Sequence, residues 1–207
     1  MSVIIIFSII VLILSIVVHE VAHGYVADKF GDPTARYQGR LTFNPIKHID
    51  PFGSIILPII MALLPGGLIL GWAKPVPINP YNFKRRKLGE FASAFAGPLS
   101  NILIALVFII VIRLGIVYQF DAVFMQLSSV IVLINAVLAF FNLIPIPPLD
   151  GYRIVSTLLP THLSEKFEDI AQKFGIFFVL FFVLFFWGPL FLVLTHTLNL
   201  LTGIPYF

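Results

Sequence analysis

Five stretches of the chain hold no Asp, Glu, Lys or Arg over 18 residues or more: 1–18, 51–73, 91–112, 122–149 and 174–207. An α-helix needs about 20 apolar residues to cross a hydrocarbon core, so each run is long enough to span. In lipid the backbone must satisfy its own hydrogen bonds, which points such segments to helix. Composition agrees, with 59% of residues hydrophobic and 11% charged, against about a quarter charged in an ordinary soluble domain. The expectation is an all-α integral membrane protein, multi-pass in the cell membrane, with about four to five membrane helices.

The first run has no Lys or Arg ahead of its apolar stretch and no small-x-small cleavage site after it. It therefore reads as a retained helix rather than a signal peptide. The absence of Cys excludes disulfides, thiolate nucleophiles and cysteine metal sites. The net charge of +3 is modest, and no nucleic-acid partner is expected. No segment is large and polar enough to stand as a separate soluble domain, so residues 1–207 are expected to form one membrane-embedded domain.

Loop charge sets the expected topology. Segments 24–50, 74–90 and 151–173 carry twelve of the thirteen Lys and Arg residues, and basic loops face the cytoplasm. Arg113 is the exception, placed to snorkel to the far interface. If 51–73 crossed once, the two most basic loops would lie on opposite sides. Pro58 and Pro65-Gly66-Gly67 suit a bend there, so 51–73 is expected to re-enter, with an ordinary span as the alternative. Segment 34–49, with turn residues Gly39 and Asn44-Pro45, is expected to form a short β-hairpin at the cytoplasmic face. An exposed edge there would accept an added substrate strand. Gly188-Pro189 is expected to kink the last run.

The strongest chemical motif is His19-Glu20-Val21-Ala22-His23. On a helix, residues i and i+4 project from one face, so both imidazoles can reach one metal ion. Glu20 is then placed to take a proton from a water activated by that metal. Zinc suits two imidazoles, a carboxylate and an open position. Ionisable groups on a membrane helix are costly and usually functional, which favours a metal site over a polar helix end. Asp150 ends a 28-residue uncharged run after Pro145, Pro147 and Pro148. It either caps a short helix over 151–159 or supplies the third ligand, and its isolation favours the ligand. Gly151 beside it permits an unusual backbone angle. Glu165 and Glu168 are the other acids available as a third ligand.

HEVAH in an apolar helix, Gly97-Pro98-Leu99-Ser100-Asn101 opening a later one, and NLIPIPPLDG at 142–151 resemble the site-2 protease family of intramembrane zinc metalloproteases. The motifs fall in the family's order over about two-thirds of the chain. The resemblance is to a short prokaryotic branch without an appended soluble domain. It implies a single Zn2+ held by His19, His23 and Asp150, with Glu20 activating water. It implies that Asn142 steadies the substrate or transition state, as an amide donor can. His48 and Asn101 are further candidates to meet substrate, each with a structural alternative. His162 and His196 are expected to be structural.

The implied reaction is hydrolysis of peptide bonds in membrane-spanning substrates near the cytoplasmic side of the bilayer. The implied partners are a membrane-anchored protein or peptide, the lipid bilayer and an accessory membrane protein. A catalytically silent scaffold or transport protein on the same fold is the alternative, but it predicts loss of a catalytic residue, and none is lost.

Overall fold

The computed structural model describes residues 2–56 and 73–206. Among them α1 (Ser2–Lys29), α3 (Arg86–Tyr118) and α4 (Ala122–Asn142) are the three helices long and apolar enough to cross a membrane. A single turn, α2 (Thr34–Tyr37), follows α1, and α5 (Asp150–Leu158), α6 (Thr161–Phe185) and α7 (Trp187–Thr202) complete the chain. The last two meet at a bend of 63° and make a fourth span when counted as one. The expected kink lies at this junction. Pro189, in the first turn of α7, has no N–H to return to the last turn of α6.

Helices α1, α3 and α4 pack on one another, and α5 lies against α3. Buried residues on α1 recur every four positions, at Val11, Ser15, His19, His23 and Ala27. The facing stripes are Ser93, Gly97, Asn101 and Ala105 on α3, and Ser128, Val132, Asn135 and Ala139 on α4. Small residues let backbones approach closely, which is how helices associate where lipid is as apolar as their side chains. The outer faces present Ile9, Leu12 and Ile13 on α1 and Leu103, Val107 and Ile110 on α3, as hydrocarbon requires. At the far end, Ile109, Ile112, Val132, Leu198 and Tyr206 form an apolar cluster. Arg113 sits beside it and caps α7. Its Nε donates to Leu201 O at 2.7 Å and its Nη2 to Leu200 O at 2.6 Å, covering carbonyls a helix end leaves open.

The expected β-hairpin over 34–49 is not formed, and no strand occurs among the described residues. Local hydrogen bonding explains the difference. Asp32 Oδ1 accepts from the N–H of Thr34 at 3.1 Å and the chain coils into α2. Gly39 then reverses it at φ +61°. Asn44 Oδ1 accepts from the N–H of Ile46 at 3.1 Å and opens a 3-10 turn, Pro45–His48. These side-chain bonds offer the backbone an alternative to a ladder. Substrate pairing with a hairpin edge falls with the hairpin. The re-entrant segment expected over 51–73 lies mostly outside the described residues; of it, Pro51–Ile56 forms a wide helical turn.

Residues 73–79 return as an extended strap across the end of α1 and are tied at several points. Lys74 N–H donates to His48 O at 2.9 Å, and Arg40 Nη2 donates to Lys74 O at 2.8 Å. Fully buried Asp32 accepts from the N–H of Asn79 at 2.6 Å and from Asn82 Nδ2 at 2.8 Å. Lys84 N–H donates to Phe30 O at 3.1 Å. These bonds bring the C-terminal end of α1 and the N-terminal end of α3 together, so the basic segments 24–50 and 74–90 share one end of the bundle.

Candidate metal centre

The metal motif falls on the buried stripe of α1, so His19 and His23 point into the bundle rather than toward lipid, each 6% exposed. Asp150 reaches them from the first residue of α5, after a loop over 143–149. It caps nothing with its side chain. Its Oδ2 lies 3.1 Å from His19 Nε2 and 3.2 Å from His23 Nε2, and the two nitrogens are 3.0 Å apart. These are the residues among those described whose donor atoms, all within 4.8 Å of one another, could hold a metal ion.

The outer nitrogens fix what the inner ones can do. His23 Nδ1 lies 2.7 Å from Ser93 O, a carbonyl that only accepts, so Nδ1 carries a proton. His19 Nδ1 lies 2.6 Å from Asn101 Oδ1, likewise an acceptor. In neutral rings both Nε2 atoms then hold lone pairs, turned on each other and on a carboxylate oxygen. Three acceptors in such a buried corner repel unless a cation or shared protons join them. Tetrahedral zinc with bonds of about 2.0–2.2 Å needs ligand atoms about 3.3–3.6 Å apart, close to the separations present. The donor set therefore fits zinc, and partners on both outer nitrogens are what metal-binding histidines normally have. Gly97 completes the corner, since a Cβ there would meet Nε2 of both imidazoles.

Glu20 faces the strap. Its Oε2 accepts from the N–H of Val76 at 2.8 Å. Asn142 ends α4 with its amide turned back, Nδ2 donating to Leu138 O at 3.0 Å. Asn101 is fully buried, held by His19, by Asn135 Oδ1 at 2.9 Å and by Ser15 O at 3.4 Å. His48 is 2% exposed and bonds Thr42 O through Nε2 at 2.9 Å. It lies outside the three-donor cluster, as do His162 and His196. Glu168 lies exposed on α6, and the side chain of Glu165 is outside the described set.

The family model for peptidase family M50 matches residues 7–131 and 114–182 of the chain. The chain belongs to peptidase family M50. It is 43% identical over 182 residues to "Putative zinc metalloprotease YwhC" of Bacillus subtilis (strain 168), covering 84% of this chain and 79% of that protein. It is 30% identical over 144 residues to Rip2 of Mycolicibacterium smegmatis, a protein of the same designation. That match covers 68% of this chain and 52% of Rip2. No solved structure matches the chain at a significant level. The M50 protein is thus a zinc metalloprotease and a multi-pass membrane protein, and Zn2+ is its metal.

Several residues at the centre of this M50 peptidase escape the sequence reading. Ser93 holds His23 from both sides, since its Oγ donates to His23 O at 3.1 Å while its carbonyl takes Nδ1. Its signal is its place four residues before Gly97, on the same face. Asn135, fully buried in α4, could have been flagged as an amide inside an uncharged run. Val76 acts through its backbone, and no residue pattern announces that.

Proposed function

We propose that this peptidase hydrolyses peptide bonds of membrane-anchored substrates within the bilayer near its cytoplasmic side, as one membrane-embedded domain. In this reading His19, His23 and Asp150 hold the zinc, and Glu20 is the general base. The observation that carries it is the buried three-donor corner with Glu20 next to it in sequence, at the basic end of the bundle.

Bound there, zinc supplies Lewis acidity, lowering the pKa of water toward 7 and polarising a carbonyl. The chain's own groups do the rest. Ser93 and Asn101 hold the outer nitrogens so that neither ring can turn away. The N–H of Val76 takes Oε2 of Glu20 and leaves the second oxygen for proton transfer. Glu20 accepts the proton of the attacking water as the new C–O bond forms. It passes that proton to the amine as the C–N bond breaks. One N–H of Asn142 is bound to Leu138 O, and its second N–H is the donor to the developing oxyanion. A helical substrate must unwind first, because its amides are closed in hydrogen bonds.

The test is reconstitution in vesicles with a single-span peptide, with zinc content measured in parallel. Wild type should hold about one zinc per chain and cleave. Glu20→Gln should keep zinc and lose cleavage, and Asp150→Ala should lose both. Cleavage surviving in Glu20→Gln, or zinc unchanged in Asp150→Ala, overturns the assignment. The chain has no Cys, so a single cysteine at Lys47 or Lys87 reports orientation. An impermeant thiol reagent should reach it in inverted vesicles and not in right-side-out ones.

A further inference from the structure

The two asparagines buried between α1, α3 and α4 form a directed chain that ends on His19. Asn135 Nδ2 lies 2.9 Å from Ile131 O, the carbonyl one turn back on its own helix. That carbonyl only accepts, so the atom facing it must be the NH2 group. Asn135 therefore presents its oxygen to Asn101, 2.9 Å away. Asn101 must then turn its own NH2 toward Asn135, which leaves its Oδ1 for His19 Nδ1 at 2.6 Å. An oxygen at that position requires N–H on Nδ1 and leaves the lone pair on Nε2, the atom facing His23 and Asp150. Both amides are fully buried, so water cannot replace either link. Ser15 O also accepts from Asn101 Nδ2, but at 3.4 Å it is a weak second anchor. His23 has no such chain and rests on a backbone carbonyl alone.

We infer that Asn135 is a positioning residue for the metal centre: acting through Asn101, it sets the tautomer and ring orientation of His19 from two helices away. The inference rests on the zinc site proposed above and adds a residue to it. A buried amide pair facing lipid-side helices would otherwise be a costly way to pack an apolar bundle, since each amide must find partners for all its polar atoms. Here the pairing is unidirectional: its first donor is a ring nitrogen of the metal motif, His19 Nδ1, and its last acceptor is the carbonyl of Ile131.

The experiment measures zinc affinity by chelator competition on the detergent-purified full chain. It compares wild type, Asp150→Ala, Asn101→Leu, Asn135→Leu and the double Asn101→Leu/Asn135→Leu. Loss of an outer partner of a metal-binding histidine weakens metal binding on the order of 10–100-fold. Each asparagine variant should show a loss in that range, and the double should bind no more weakly than Asn101→Leu alone. Histidine 15N spectra of the zinc-free protein supply a readout that general destabilisation would not move. His19 should carry its proton on Nδ1 in wild type and divide it between the two nitrogens in Asn135→Leu, while His23 stays as it was. If Asn135→Leu does not fold, Asn135→Ala reads the same quantities. Wild-type affinity and tautomer in Asn135→Leu, with zinc lost in Asp150→Ala, overturn the relay and leave the site intact. Losses that multiply in the double variant also overturn it, because Asn135 would then act independently of Asn101. Zinc retained in Asp150→Ala overturns the site, and the relay with it.

Discussion

Gly97 lies against the imidazole of His23 with no room for a side chain between them; a Cβ there would also stand 2.6 Å from His19 Nε2. The Gly97–Asn101 motif, which lies inside α3 rather than at its start, thus does more than bring two helices together. It makes the floor of the metal corner, and the space where a methyl would sit is the space into which both ring nitrogens point. Gly97→Ala should tilt both rings or push α3 from α1, and overpacking of this kind costs about 1–3 kcal/mol. The expected result is zinc binding weakened by about tenfold or more, read by chelator competition, with helix content by circular dichroism unchanged. Wild-type affinity in Gly97→Ala would mean the corner has slack the geometry does not suggest.

The strap supplies a second check on Glu20. Pro75 and Pro77 have no N–H, so Val76 is the single backbone donor in that tripeptide, and it goes to Glu20 Oε2 at 2.8 Å. Val76→Pro removes the donor, and Val76→Ala keeps it. A positioned general base contributes about 10²–10⁴ to rate. Val76→Pro should therefore lower kcat by at least about tenfold with zinc still bound, while Val76→Ala stays close to wild type. Equal activity in the two variants would remove the backbone N–H from the mechanism.

The pieces legible from sequence were those written in side-chain type and spacing. Uncharged runs marked α1, α3 and α4, and the spacing of His19 and His23 placed both rings on one helical face. Asp150 stood out because no other acid lies near it in an apolar run. The hairpin over 34–49 misled because weak alternation looks the same whether the backbone pairs with a neighbouring strand or with its own side chains. Asp32 and Asn44 decided that locally. Gly151 beside the acid suggests an unusual backbone angle by residue type alone, yet the glycines at positive φ among the described residues are Gly31, Gly39 and Gly203. Contacts made by a backbone N–H, such as that of Val76, carry no residue signature at all.

Asp32 predicts a pH dependence. Burial would raise its carboxyl, but hydrogen bonds from Thr34, Asn82 and the N–H of Asn79 outweigh burial and hold it below the ordinary value. A group depressed in the folded state stabilises fully above its unfolded value of about 3.9. That contribution is lost as pH falls through the lower folded value. Wild type should thus lose thermal stability between about pH 5 and pH 3 more steeply than Asp32→Asn. At pH 7 the variant should be less stable by about 1–3 kcal/mol, because its buried partners lose a charged acceptor. Parallel melting curves across that range would show that Asp32 does not anchor the strap.

Gly151 offers a comparison with Gly97 that separates soft from hard constraints. A Cβ at Gly151 would meet the carbonyl of Leu143 and stand 2.5 Å from Ile144 O. Both are backbone atoms of the loop that delivers Asp150. Imidazoles at Gly97 can tilt by a few tenths of an ångström, whereas carbonyls at Gly151 move only if the loop over 143–149 moves. That displacement would draw the carboxylate of Asp150 from a position 3.1 Å from His19 and 3.2 Å from His23. Gly151→Ala should therefore weaken zinc binding more than Gly97→Ala, beyond the usual overpacking range of about 1–3 kcal/mol. The check is zinc affinity of the two variants side by side, with Asp150→Ala marking complete loss of the carboxylate. An affinity for Gly151→Ala near wild type would show that the loop does not hold Asp150 in place. The third donor would then owe its position to its contacts with the two imidazoles alone.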